Sequence, residues 1–253
     1  MLTCLSNGPV AFLYQLFGSA NIMPFYYIFH TWTCAGDQFD STNRSVQPSE
    51  ANVMLPALFI GYMVPTIAMF LPWNNWALTQ AGILLWQGAP FYPNLLVRIF
   101  TIGQPRGESE KMSGLRSLNR VYFLAGTFCF ASHIYFLYSC AVSADPRISV
   151  ASVLFPSTTL HYSTLTDGLI HIFQWDLWGC FLSTLLWGWV QVTRAQTATG
   201  KGATAARVLS TGIGIGVLSV LVGPGTAVAA MWFWVDNKMA GPQHTGGKKD
   251  KAL

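Results

Sequence analysis

Charge is what this chain has least of. Only 9% of its 253 residues are Asp, Glu, Lys or Arg, against roughly 25% in an ordinary soluble domain. So few charges cannot make a water-facing surface of normal density, which excludes a soluble globular fold. The basic residues form no stripe of the kind that follows a phosphate backbone, so nucleic acid is not an expected partner. Motifs are missing as well. There is no aspartate-rich cluster for a magnesium diphosphate site, no glycine-rich phosphate loop, no His-Glu-x-x-His and no Gly-x-Ser-x-Gly. The cysteines, Cys4, Cys34, Cys129, Cys140 and Cys180, include no Cys-x-x-Cys pair and no zinc-like spacing. They read as small packing residues, and neither a metal nor a cofactor is expected.

Long uncharged runs take the place of charge. About 20 apolar residues cross a bilayer as a helix, and six runs qualify: 9–32, 51–71, 78–99, 121–142, 168–192 and 208–235. The fifth is interrupted only by His171 and Asp176. Pro24, Pro56, Pro65, Pro90 and Pro93 lie within the runs. They imply kinked helices around an internal space, because backbone groups freed by proline are tolerated where they face protein. The first run follows an uncharged segment and reads as a retained span, not a signal peptide. The expected fold is therefore all-α, a polytopic transmembrane helix bundle over residues 1–236. A basic, disordered cytosolic tail, 237–253, follows it.

Residues 148–166 are also uncharged but rich in Ser and Thr, with Pro156 and His161. With six spans, Arg44, Arg106, Lys111, Arg116, Arg120, Arg194, Lys201 and Arg207 share one side. Arg147, Lys238, Lys248, Lys249 and Lys251 share the other. If 148–166 also crosses, the tail joins Arg44 and the 106–120 loop, which leaves Arg147, Arg194, Lys201 and Arg207 opposite. The positive-inside rule then favours seven spans, with the tail in the cytosol and the N-terminus in the lumen. The ending Lys249-Asp250-Lys251-Ala252-Leu253 resembles a dilysine retrieval signal and points to the endoplasmic reticulum. Asn43-Arg44-Ser45 is a glycosylation sequon that this topology keeps in the cytosol.

Ionisable groups inside spans are costly and functional by default. Asp176 lies about 12 Å inside its run at 1.5 Å per residue, with no Lys or Arg between 168 and 192. A carboxyl buried away from cations favours its proton-carrying form, the state a general acid needs. Asp167, His171, Gln174 and Trp178 follow i, i+4, i+7, i+11 spacing and share one face. Asp176 sits on the opposite side with Phe173, Cys180 and Ser183, so the two aspartates make no dyad on this helix. Glu50, after Pro48 and Ser49, reads as a first-turn carboxylate with Ser49 as the cap. His30, His133 and His161 read as hydrogen-bonded structure. The candidate acid and base groups are Asp176, Asp167, His171 and Glu50. The candidate substrate-lining residues are Trp175, Trp178, Trp86, Gln174 and Tyr62. With lysine absent from every run, a retinal Schiff base is impossible. An enzyme built from this inventory would do metal-free acid chemistry in an aromatic cavity.

Three segments carry a family resemblance. They are Leu55-Pro56-Ala57 through Gly61-Tyr62-Met63-Val64-Pro65-Thr66 to Phe70-Leu71-Pro72, the run His171-Ile172-Phe173-Gln174-Trp175-Asp176-Leu177, and Leu221-Val222-Gly223-Pro224-Gly225-Thr226 to Trp234. Together they resemble the small fungal integral-membrane terpene cyclases of the ascofuranone type, over nearly the whole chain. The resemblance implies cyclisation of an epoxidised farnesyl chain on an aromatic polyketide, a step of meroterpenoid secondary metabolism. The partners would be a prenylated aromatic epoxide and the lipid bilayer. No diphosphate leaves in that chemistry, in keeping with the missing aspartate cluster. Asp176 matches the Gln-Trp-Asp position, whereas Glu50 aligns with no family carboxylate. Asp176 would donate to the epoxide oxygen while the faces of Trp175, Trp178 and Trp86 stabilise the carbocation. Other readings stay open: a polytopic transporter with Asp167, His171 and Asp176 as a relay, a lipid- or sterol-binding bundle, or a scaffold without chemistry.

Overall fold

The computed structural model describes residues 7–33, 47–104, 111–157, 164–200 and 202–240, and their regular structure is all helix. The helices are α1 (Asn7–Phe17), α2 (Ser19–Thr33), α3 (Pro48–Leu58), a π-helical turn (Phe59–Met63), α4 (Val64–Phe70), α5 (Trp76–Gln87), α6 (Tyr92–Phe100), α7 (Lys111–Val142), α8 (Val150–Leu154), α9 (Leu165–Ala198), α10 (Ala205–Val222) and α11 (Pro224–Ala240). Four stretches among the described residues are long and apolar enough to cross a membrane: Ser49–Phe70, Gly114–Val142, Leu165–Ala198 and Ala205–Val222. The outer surface suits lipid, with Phe25, Trp32, Phe70, Trp76, Leu84 and Phe123 all exposed.

The bundle is organised around α9, which packs along α2 on one side and α11 on the other. Next to them α11 packs on α7, α7 on α3, and the α3–π–α4 rod on α6 and α5. The tightest apolar cluster, Val192, Ala195, Met231, Val235 and Met239, joins α9 to α11.

Glycine and proline divide the expected runs. Gly18, at φ 83°, separates α1 from α2, and Gly223, at φ 88°, separates α10 from α11. Only glycine takes such angles without strain, and a Cβ on Gly223 would also fall 2.9 Å from the His133 side chain. The run 208–235, expected as one span, is consequently two antiparallel helices. The start of α10 lies beside late α9, where Trp189 Nε1 donates to the Val208 carbonyl at 2.9 Å. The end of α11 returns there, with Val235 and Met239 against Val192 and Ala195. The run 78–99 likewise divides at residues 88–91, where Pro90 has no N–H to continue α5. The resulting pair covers the rod, α5 against α4 and α6 against α3.

In the rod, Pro65 cannot donate to the Gly61 carbonyl, and the chain widens into the π turn just before it. The Val64 N–H reaches back to the Phe59 carbonyl instead. Gly61 lets α6 approach this turn, since a Cβ there would fall 2.8 Å from the Pro93 nitrogen.

The described part of 148–166 holds only the five-residue α8, capped by Ser149, and then extended backbone to Ser157. No crossing helix forms there, because Pro156 interrupts it and Gln174 and Trp178 of α9 hold its carbonyls. The last helix runs to Ala240, so Asn237 and Lys238 belong to the bundle and not to a tail beginning at 237. His161, the Asn43 sequon and the tail lysines lie outside the described residues.

Candidate functional site

Asp176 sits half-buried in the first half of α9. The break at Gly18 starts α2 directly against it. The Ser19 hydroxyl donates to Oδ2 at 2.7 Å, and the Ala20 N–H donates to Oδ1 at 2.7 Å. The Ala20 N–H is one of the first-turn donors that a helix leaves without an internal partner. Asp176 therefore caps α2 across space and adds negative charge at its positive end. Both donors are neutral.

From Asp176 a stripe runs up α9 through Cys180, Ser183, Trp187, Gln191 and Arg194 at i+4, i+7, i+11, i+15 and i+18. Helix α2 follows it in parallel. Tyr27 pairs its hydroxyl with Thr184 Oγ1 at 2.9 Å and stacks on Trp187 at 4.6 Å. His30 meets the Trp187 edge at 5.1 Å, and the Arg194 guanidinium reaches the Thr31 carbonyl at 3.3 Å.

Beside the lower stripe several elements converge. Tyr14 of α1 lies within electrostatic reach of Tyr62 and Cys180, and Tyr62 within reach of Cys129 of α7 and Cys180. Cys180 in turn feels Asp176. Tyr62 belongs to the π turn and is 40% exposed. Cys129, Cys140 and Cys180 are free thiols, and among the described residues no group of three His, Cys, Asp or Glu could hold a metal.

Asp167, His171, Trp175, Gln174 and Trp178 have hydrogen-bond partners of their own. Asp167 forms a capping box with Thr164 at the start of α9. His171 Nε2 accepts from Trp175 Nε1 at 2.9 Å, and Trp175 points outward, 57% exposed. Gln174 is buried and donates to the Ser152, Val153 and Phe155 carbonyls. Trp178 donates to the Leu154 carbonyl at 2.7 Å. The face shared by Gln174 and Trp178 is therefore the clamp for the 152–155 backbone. Trp86 has its indole nitrogen buried without a partner. Glu50 is exposed in the first turn of α3, where Gln47 is the N-cap residue and Pro48 opens the helix, so Ser49 is not the cap. His133 bonds the Val220 carbonyl at 3.2 Å.

The sequence reading passed over Ser19, Tyr14 and a second carboxylate. Asp236 accepts from the Tyr122 hydroxyl at 2.6 Å, and beside it Asn119 and Asn237 exchange two amide hydrogen bonds. The signal was the Asp236-Asn237 pair, one residue beyond the sixth apolar run.

Two curated relatives match. One is FAD-dependent monooxygenase verC1 of Penicillium polonicum, 26% identical over 246 residues, 94% of this chain and 29% of that protein. The other is terpene cyclase ascI of Acremonium egyptiacum, 24% identical over 185 residues, 69% of this chain and 48% of that one. The chain thus spans under a third of the first and about half of the second. No solved structure matches. The CtvD domain matches residues 9–237, nearly the whole helical bundle, and the chain belongs to the CtvD domain family.

Proposed function

We propose that the chain is a membrane-embedded terpene cyclase that closes rings by protonating an epoxide on a prenyl chain attached to an aromatic ring. The observation that carries the reading is Asp176, a carboxyl within an apolar helix with the neutral donors Ser19 and Ala20, in a neighbourhood shared with Cys180, Tyr14, Tyr62 and Cys129. The relatives support it. One is named a terpene cyclase. The other, named an FAD-dependent monooxygenase, carries a matching stretch as part of a longer protein. Monooxygenation turns an alkene into an epoxide, the group that the proposed step consumes.

In its protonated form Asp176 donates to the epoxide oxygen. The bond from that oxygen to the more substituted carbon breaks, and positive charge develops on the carbon. The faces of Tyr14, Tyr62 and Trp86 stabilise that charge, while the closed apolar bundle excludes the water that would give a diol. An alkene or hydroxyl of the same substrate forms the new bond, and the proton lost on closure returns to Asp176. The product is an isomer of the substrate. Ser19 and Ala20 stabilise the carboxylate left after proton donation, because hydrogen bonds to an ionised acceptor are the strong ones. Trp175, Trp178, Gln174, Asp167 and His171 have other hydrogen-bond partners, and Glu50 is an exposed first-turn carboxylate, so the proposed step uses none of them.

The reading includes seven crossings: α1–α2, the α3–π–α4 rod, α5–α6, α7, α9, α10 and α11. This path places every Lys and Arg except Arg147 on the side of the 34–46, 101–110 and 199–204 connections and the chain's end. By the positive-inside rule that side is cytosolic.

Microsomes carrying the protein, given an epoxyfarnesyl phenol, are expected to yield an isomer of unchanged mass. Asp176→Asn should abolish that product while leaving expression and insertion intact. A product heavier by one water, uptake without conversion, or an active Asn variant would reject the reading.

A further inference from the structure

We propose a second binding point, for a hydroxyl-bearing aromatic end of the substrate, at Gln191 and Trp187 on α9. It rests on the cyclase reading and extends it by placing the end of the substrate far from the epoxide. Gln191 is 1% exposed, the largest fully buried side chain in the bundle. Neither its Oε1 nor its Nε2 has a hydrogen-bond partner, and the Trp187 indole nitrogen beside it is also buried and unpaired. Buried polar groups in native proteins are almost always satisfied. Two adjacent residues that offer N–H donors and a carbonyl acceptor to nothing among the described residues therefore point to a further partner.

The chemistry of that partner follows from the donors. It must accept from the amide or indole N–H and donate to the amide oxygen, which one hydroxyl can do. It is neutral, since the neighbouring cation, Arg194, is directed to the Thr31 carbonyl. It is flat, because the surroundings are rings: Tyr27 stacked on Trp187 at 4.6 Å, His30 at its edge at 5.1 Å, and Trp232 at 4.9 Å. A phenol has all three properties.

Position agrees. Gln191 follows Asp176 by 15 residues on one stripe of one continuous helix, about 22 Å along its axis. That is the scale of an extended three-isoprene chain with an aromatic ring at its end. Cys180 and Ser183 lie on the stripe between the two points. The phenol end would dock at Gln191 and lay the epoxide end beside Asp176.

The test uses Gln191→Leu, which removes both amide atoms at similar volume, with two substrates: the epoxyfarnesyl phenol and its aryl counterpart lacking the hydroxyl. Wild type is expected to prefer the phenol by at least about tenfold in kcat/KM, as for a hydrogen bond made only by the right substrate. The Leu variant should lose that preference through a raised KM for the phenol alone. A parallel arm needs no turnover. Farnesyl phenol without the epoxide should raise the melting temperature of wild type more than that of Gln191→Leu, and the deoxy compound should raise both equally. A phenol-dependent shift that disappears in the variant, with no cyclisation by either protein, would reject the reaction and keep the site. Equal phenol preference in both proteins would overturn the site. So would a Leu variant that is simply more stable with unchanged preference, since the amide then holds only water. Should Gln191→Leu fail to insert, Trp187→Phe is read by the same measurements.

Discussion

As a cap, Asp176 ties the start of α2 to α9 through Ser19 and Ala20. In the proposed reaction it would also be the acid, and the same two donors would stabilise the anion it leaves behind. Removing one donor separates the two roles. Ser19→Ala keeps the Ala20 N–H bond and the fold, but withdraws a hydrogen bond to a charged group, about 1.5–3 kcal/mol. We expect kcat to fall by about tenfold or more with KM little changed, measured on microsomes with matched protein levels. A rate equal to wild type would mean that Ser19 does not support the anion. Gly18→Ala tests the cap instead. It forces an L residue into a left-handed angle, about 1–2 kcal/mol, and brings a Cβ to 3.2 Å from Asp176 Oδ1, so the melting temperature should drop. That no Lys or Arg lies within the 168–192 run around Asp176 was legible in the sequence. That its partners are Ser19 and Ala20 was not, because periodicity describes one helix at a time and these partners lie on another segment of the chain.

Breaks between elements position the residues of the candidate site. The π turn carries Tyr62 toward Cys129 and Cys180, and such turns arise from one extra residue in an α-helix. Deleting Ile60 should restore regular α winding with both flanks near their present orientation, and withdraw the displacement of Tyr62 that the extra residue causes. Helix content by circular dichroism should survive, and turnover should fall by at least tenfold. Full activity would remove the π turn from the site. Prolines in the sequence announced kinks, and the structure has them at Pro65 and Pro90. The reversal at Gly223 was hidden, since a glycine among apolar residues reads the same whether its φ is negative or positive. Residues 148–157 mislead in the opposite sense. Their lack of charge satisfies the rule for a span, yet their carbonyls are held by Gln174 and Trp178, which only the packed structure reveals. The loop before α8 has its own signature. Arg147 donates to both Asp145 carboxylate oxygens and holds its pKa at about 2, below the usual 3.8. A depressed folded pKa contributes stability above the unfolded value, lost as pH falls through about 2. An NMR titration of Asp145 should therefore show its midpoint near 2, moving up toward the ordinary value in Arg147→Gln.

For the whole molecule, scarce charge becomes a map of orientation. The sequence alone reaches seven crossings by counting 148–166 as a span, which leaves Arg194, Lys201 and Arg207 opposite the tail. If both helices of the antiparallel pair α10–α11 cross, the proposed path reaches the same number differently and would move those three residues to the side of Arg44, Lys238 and the tail lysines. The second path satisfies the positive-inside rule more fully, since Arg147 alone remains across the membrane, paired with Asp145. The two paths differ at one connection. A glycosylation acceptor placed by a flexible spacer within 199–204 should stay unmodified if α10 and α11 both cross, whereas the alternative puts it in the lumen. An acceptor at 143–149 should be glycosylated on either path, which controls for insertion, and the natural Asn43 sequon should remain bare. Mobility shifts on endoglycosidase treatment read all three. Glycan within 199–204 would show that α10 begins in the lumen, and the tail would then be cytosolic only if 208–235 crossed once.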